Sequence, residues 1–199
     1  MRFYGLSQSI VNSYYNRYRI SELLPWQCEL LAADDDAVLK GRSLVYTAPT
    51  GTGKSLVYEV LMFRRLLYWR GQCLIVLPYI SLIEEKRAYL TNLCEPNGFF
   101  VECFYSSGSQ RLDPHIDVAI STVEKANLII NRYIAEGMVP RINLLVVDEA
   151  QTIEGERGYL IELLYMKLKS LNPNLQVIFL SATLPCPYAL SKWYDDIAN

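Results

Sequence analysis

Short apolar runs rich in β-branched residues recur along this chain at 43–47, 73–77, 100–104, 118–121, 144–147 and 177–181. Each is bounded by polar or turn-forming residues and is too short for a globular helix, so each is expected as a buried strand. Between them, 54–69, 80–93, 123–136 and 159–171 carry apolar residues at three- and four-residue spacing, the pattern of helices with one face against a core. Alternating strands and helices imply right-handed crossovers, hence an α/β fold with a mostly parallel sheet of about six or seven strands and helices on both faces. In such sheets ligands gather at the carboxyl ends of the strands. Residues that directly follow a strand are therefore the first place to look for chemistry.

The first forty residues break the alternation. Tyr14, Tyr15 and Tyr18 precede an apolar helix expected over 26–33. Residues 1–40 are expected to form a helical lead-in and 41–199 the α/β domain, with the acidic run Asp34, Asp35 and Asp36 as a solvated turn. No internal repeat or low-complexity linker interrupts this plan.

Composition narrows the class further. The chain is half apolar with a fifth of its residues charged, the profile of a globular protein. The longest apolar stretch, 74–83, is interrupted by Pro78 and falls well short of the ~20 residues a membrane span needs. Polar and basic residues at Tyr14, Asn16, Arg17 and Arg19 stand where a secretory signal would be apolar, so an intracellular protein is expected. Cys28, Cys73, Cys94, Cys103 and Cys186 form no CxxC pair and read as reduced thiols. A formal net charge of −2 argues against a polybasic nucleic-acid binder, which depends on many phosphate contacts.

Three of the strands end in distinctive residues. After 43–47 comes Ala48-Pro49-Thr50-Gly51-Thr52-Gly53-Lys54-Ser55, which opens a helix. A glycine-rich loop between strand and helix can wrap backbone N–H groups around phosphate oxygens. Gly51 and Gly53 avoid Cβ clashes there, Lys54 offers a cation to the β and γ phosphates, and the Ser55 hydroxyl can ligand Mg²⁺. The strict pattern has Gly where this chain has Ala48. After 144–147 come Asp148, Glu149, Ala150 and Gln151; two acids ending a buried strand are costly without a cation. Asp148 is expected to hold Mg²⁺ and Glu149 to orient and deprotonate water for phosphate hydrolysis. After 177–180, Ser181, Ala182 and Thr183 place hydroxyls at a neighbouring strand end, where they can bond Gln151 and couple the nucleotide state to distant surfaces.

These three strings, in this order and spacing, resemble those of superfamily 2 helicases. The strings YGLSQSIVNSYY, LLPWQCELL, LPYISLIEEK, STVEKANLIINR, RGYLIELL and SATLP narrow the resemblance to the Ski2-like branch and span nearly the whole chain. The resemblance implies a RecA-like P-loop NTPase fold, ATP and Mg²⁺ as cofactors, and single-stranded nucleic acid, by resemblance DNA, as partner. It implies that Gln27 reads adenine, that Lys54, Asp148, Glu149 and Gln151 serve hydrolysis, and that Ser181, Ala182 and Thr183 couple it to movement. Pro78, Tyr79 and Ser81 match a nucleic-acid motif, and Ser107, Gly108, Thr122 and Lys125 match positions near the strand's phosphates. Such contacts use backbone amides, hydroxyls and helix N-termini, which suits a mildly acidic chain. A role in DNA repair and a nuclear location also rest on the resemblance.

Two departures qualify these expectations. The family usually has His where this chain has Gln151, which cannot titrate. The chain also ends at Asn199, before the second RecA-like domain whose arginine stabilises the transition state, so weak hydrolysis is expected of this chain alone. The alternatives are a truncated, non-catalytic, nucleotide-dependent binding module for DNA or protein, and a P-loop kinase or small-molecule ATPase. The last leaves STVEKAN and SATLP without a role.

Overall fold

Each apolar run folds as a strand: β1 (Leu44–Thr47), β2 (Gln72–Val76), β3 (Val101–Phe104), β4 (Val118–Ser121), β5 (Ile142–Val147) and β6 (Gln176–Ser181). The computed structural model describes residues 4–105, 111–151 and 158–183 together with Lys192, and only the backbone of 33–36. Among the described residues the strands form one six-stranded sheet in the order β1-β6-β5-β2-β4-β3, every neighbouring pair parallel. Strands β2, β4 and β6 are buried along their whole length, as expected of a parallel sheet covered on both faces. Edge strand β3 instead exposes Glu102, a charge that discourages further pairing.

The helices are α1 (Gln8–Tyr18), α2 (Pro25–Lys40), α3 (Lys54–Trp69), α4 (Ile80–Cys94), α5 (Val123–Ala135) and α6 (Gly158–Leu171). Alternation along β2 sorts them into two layers. Cys73, Ile75 and Leu77 join the core shared with α1 to α4, while Leu74 and Val76 join the core shared with α5 and α6. That two-residue period is what lets one continuous apolar run serve both faces. The N-terminal helices share the first core directly: Ile10, Tyr14, Leu31, Val38 and Leu39 pack in it with Val57, Val60 and Phe63 of α3.

Helix α2 corrects one expectation. It does not stop before a solvated acidic turn but carries Asp34, Asp35 and Asp36 within it and runs to Lys40. The reason is that apolar periodicity resumes beyond the acids, with Leu31, Val38 and Leu39 all buried, so stopping early would strip two core side chains from the sheet. Pro25 occupies the first turn, where its missing N–H costs nothing. Gly41 ends the helix at φ 122°, and Arg42 N–H closes back on Ala37 O at 2.9 Å.

Cys28, Cys73, Cys94 and Cys103 are unbridged thiols. Burial pushes Cys73 and Cys94 far above the ordinary thiol range and Cys103 to about 11, so these three are not set up to react as thiolates. Cys186 lies outside the described residues. Among the described residues no helix is long and apolar enough to cross a membrane.

The extended α2 has a direct check. Asp35→Pro within a helix removes a backbone hydrogen bond and clashes with the preceding turn, costing ~3 kcal/mol or more, whereas a solvated turn tolerates it. A marked fall in the urea midpoint of the variant is expected; an unchanged midpoint contradicts the helix.

Candidate functional site

The glycine-rich loop leaves β1 level with the end of β6, where Ala48 N–H donates to Ser181 O at 3.2 Å. Gly51 and Gly53 sit at φ 80° and 78°, the left-handed region that side chains resist. Thr52 folds back, its hydroxyl donating to Pro49 O at 2.6 Å. The loop then runs straight into α3, whose unpaired first-turn N–H groups and dipole suit an anion. Below it, the buried Tyr46 hydroxyl donates to Lys54 O at 2.8 Å and fixes the start of the helix.

Gln27 lies under this loop, 1% exposed. Its Oε1 accepts from Leu24 N–H at 2.8 Å, as the N3 residue of a capping box does, and its Nε2 donates to Gly53 O at 2.9 Å. A Cβ at Gly53 would stand 2.9 Å from that nitrogen, a second reason for glycine. One amide thus ties the amino end of α2 to the phosphate loop.

The acidic pair follows β5. Asp148 N–H continues the sheet to Val76 O at 3.1 Å, and the residue is 8% exposed. Burial raises its carboxyl above the ordinary range, Lys86 pulls it down, the neighbouring Glu149 charge raises it, and Lys54 lowers it again. Glu149 adopts φ 57°, a conformation that costs a non-glycine residue ~1–3 kcal/mol and is found at functional sites. Its Oε2 accepts from Gln151 Nε2 at 2.6 Å. Gln151 Oε1 accepts from the Ser181 hydroxyl, and Ser181 Oγ accepts Thr183 N–H at 3.1 Å. Ser181, rather than the Thr183 hydroxyl, therefore meets Gln151. Ala182 stands between the two in the same turn.

These parts converge. A cavity of about 460 Å³ is lined by Thr50, Gly51, Gly53, Lys54, Ser55, Asp148 and Glu149, with Glu59, Lys86 and Tyr89 at its inner end. The larger cavity, about 570 Å³, lies at the opposite end of the strands among Lys40, Arg42, Arg65 and Lys169 and contains none of the motif residues. Oxygen donors at Ser55 and Asp148, one of them a buried carboxylate, fit a hard divalent cation such as Mg²⁺.

Sequence reasoning missed the inner end of the cavity. Glu59 is fully buried on α3, and its Oε2 accepts from the hydroxyls of Tyr14 and Tyr89 at 2.9 Å each. Burial raises its carboxyl, with Lys86 and the two tyrosines opposing. The signal was present, since Glu59 interrupts the apolar run LVYEVLMF. Lys86 was hidden in the charged run Glu84, Glu85, Lys86, Arg87, which reads as an ordinary solvated face.

The nucleic-acid candidates divide. Pro78, Tyr79 and Ser81 follow β2 at the start of α4, with Tyr79 59% exposed. Thr122 caps α5 after the adjacent β4, its Oγ1 accepting Lys125 N–H at 3.4 Å. Lys125 itself is buried, 6% exposed. Ser107 and Gly108 lie outside the described residues. Asn127, in the same STVEKAN string, donates to Val123 O and Leu160 O and accepts from Lys167 Nζ, a tie between α5 and α6.

A family model described as DEAD/DEAH box helicase matches residues 35–190. DNA polymerase theta of Mus musculus is 33% identical over 209 residues, covering 96% of this chain and 8% of the relative. Helicase POLQ-like of Homo sapiens is 34% identical over 188 residues, covering 92% of this chain and 17% of the relative. The chain therefore spans only a small part of the curated relatives it matches. Among solved structures, DEAD-box helicase Mss116 bound to ssRNA and UDP-BeF superposes with a TM-score of 0.77 at 18% identity, covering 96% of this chain and 41% of that one. Helicase MrfA bound to DNA gives 0.76 at 18% identity, covering 94% and 28%. At these identities the structures establish the RecA-like helicase fold.

Two variants probe the site's energetics. Glu149→Gly is expected to be more stable than Glu149→Ala by ~1 kcal/mol, because both lose the side chain and only glycine relieves the positive φ; equal unfolding midpoints contradict this. For Glu59 the folded-state carboxyl is raised, so stability falls as pH climbs from the ordinary carboxylate range through the raised value. Glu59→Gln keeps an acceptor oxygen and removes the charge. Urea titrations should show it more stable than the parent at pH 7, with the two converging at low pH; parallel profiles contradict the buried charge.

Proposed function

The chain belongs to the DEAD/DEAH box helicase family, and from that premise we propose that it is the ATP-binding part of a motor that hydrolyses ATP to move on single-stranded DNA. The observation that carries this reading is the convergence of Lys54, Ser55, Asp148 and Glu149 on one cavity. Lys54 and the loop amides grip the β and γ phosphates. Ser55 and Asp148 would hold Mg²⁺, which when bound supplies charge neutralisation across the phosphate oxygens.

Glu149 takes a proton from the attacking water in this reading. Its bond to Gln151 fixes the carboxylate's orientation, and the Gln151–Ser181 contact carries any movement of Glu149 to the turn at Thr183. In this role Gln151 transmits geometry and needs no titration, so its replacement of the usual His is compatible with coupling. Gln27 is assigned to adenine through its remaining N–H and lone pair.

Pro78, Tyr79, Ser81 and Thr122 are assigned to the nucleic-acid strand, with Ser107, Gly108 and Lys125 carried over from the family pattern. DNA is favoured over RNA because a relative that matches this chain over nearly its whole length is DNA polymerase theta. A nuclear role in DNA repair is carried over from the family resemblance. The transition-state arginine belongs to a second RecA-like domain, and such an arginine is worth ~10³ to 10⁵ in rate.

Lys54→Ala should abolish Mg²⁺-dependent nucleotide binding measured by fluorescence titration. Joined to a matching second domain, the chain should show ATPase activity stimulated by single-stranded DNA more than by RNA. An inert joined protein, or one indifferent to nucleic acid, overturns the motor reading.

A further inference from the structure

The cation bonded to Ser55 comes from neither the phosphate loop nor the acidic strand. Lys86, half-buried on α4, donates from Nζ to Ser55 Oγ at 3.1 Å. Its ammonium stands 5.5 Å from the centroid of the Tyr58 ring and 5.6 Å from that of Tyr89, within cation–π range. Its charge also favours the ionised forms of Glu59 and Asp148. The hydroxyl it bonds is the one assigned above to Mg²⁺. That ion demands a near-octahedral set of oxygens, and an ammonium on one of those oxygens sets a like charge against it.

We propose that Lys86 is a resident counter-cation at the metal end of the phosphate cleft, that Mg²⁺ displaces it to reach Ser55, and that Glu59 receives the displaced ammonium. The proposal rests on the nucleotide–metal reading of this cavity. Glu59 is suited to the part because its Oε2 is held by Tyr14 and Tyr89, while its Oε1 is buried without a hydrogen-bond partner. It lines the same cavity as Lys86 and Ser55. Lysine's flexible stem lets the ammonium move while the backbone of α4 stays in place. A lysine that simply gripped phosphate would point at the loop amides beside Lys54; Lys86 is bonded instead to the Ser55 hydroxyl. A buried carboxylate without a cation is costly, and this arrangement gives Asp148 and Glu59 one both before and after the metal arrives.

The test is binding of a fluorescent ADP analogue to the chain, titrated with MgCl₂ from zero, with thermal unfolding in EDTA as a second readout. Lys86→Met keeps the apolar stem against the tyrosines and removes the charge. Its half-saturating Mg²⁺ concentration should fall about tenfold, the modest end of what a like charge a few ångströms away costs, and its Tm in EDTA should fall. Glu59→Gln should shift the Mg²⁺ requirement the opposite way, and Lys86→Arg should leave it at or above the parent value. An unchanged or higher requirement in Lys86→Met overturns the proposal. So does a loss of nucleotide affinity that is equal with and without Mg²⁺, the mark of a plain phosphate ligand. An unmoved requirement in Glu59→Gln removes its receiving role. If the parent chain binds nucleotide without regard to Mg²⁺, or not at all, the nucleotide–metal reading itself fails, and that result is seen before any variant is made.

Discussion

Parallel pairing holds Thr47 beside Ser181 and Val147 beside both Val76 and Phe179. The phosphate loop, the acidic pair and the serine turn each begin where one of these strands stops, so their spacing is set by the sheet. A slip of one residue would turn every side chain of the strand to the other face, which the hydrophobic cores on both sides resist. Packing far from the site therefore fixes its geometry, and the loops need only bridge short gaps.

Within that frame the dominant problem is charge. Asp148 and Glu59 lie in the low-dielectric interior, where an unbalanced carboxylate is costly. Two lysines and two tyrosine hydroxyls answer them: Lys54 and Lys86 by charge, Tyr14 and Tyr89 by donated hydrogen bonds. Tyr14 belongs to α1, so the N-terminal helix contributes to the electrostatics of the cavity as well as to the core. That link gives the lead-in a reason to be packed against α3 instead of merely preceding the sheet.

Much of this was legible in the sequence, for reasons that differ by element. The strands declared themselves because a parallel sheet needs unbroken apolar runs, and the ends of α3 fell where the glycine pair and the last apolar residues put them. The full length of α2 did not, because three acids outweighed the apolar residues beyond them in a local reading, while burial of Val38 and Leu39 decides the matter only in three dimensions. The phosphate loop and acids were readable because their chemistry demands fixed residue types at strand ends. Lys86 and Tyr14 were not, since a lysine in a charged run and one tyrosine among several look ordinary until the fold brings Tyr14 to Glu59 and Lys86 to the cavity that Glu59 lines. Lys125 shows the converse: its motif match was clear, yet its side chain is turned inward.

The double attachment of Gln27, to the amino end of its own helix and to Gly53, has a consequence for selectivity. An amide carries two N–H groups and two lone pairs, and one of each is engaged here. Under the proposed adenine assignment, a base reaching Gln27 would use the spare pair and leave the loop taut, whereas a base whose edge demands the engaged hydrogen would first have to slacken Gly53. Discrimination between purines would then be felt as tension in the phosphate grip, so that the wrong base is held loosely at its far end, where the phosphates are.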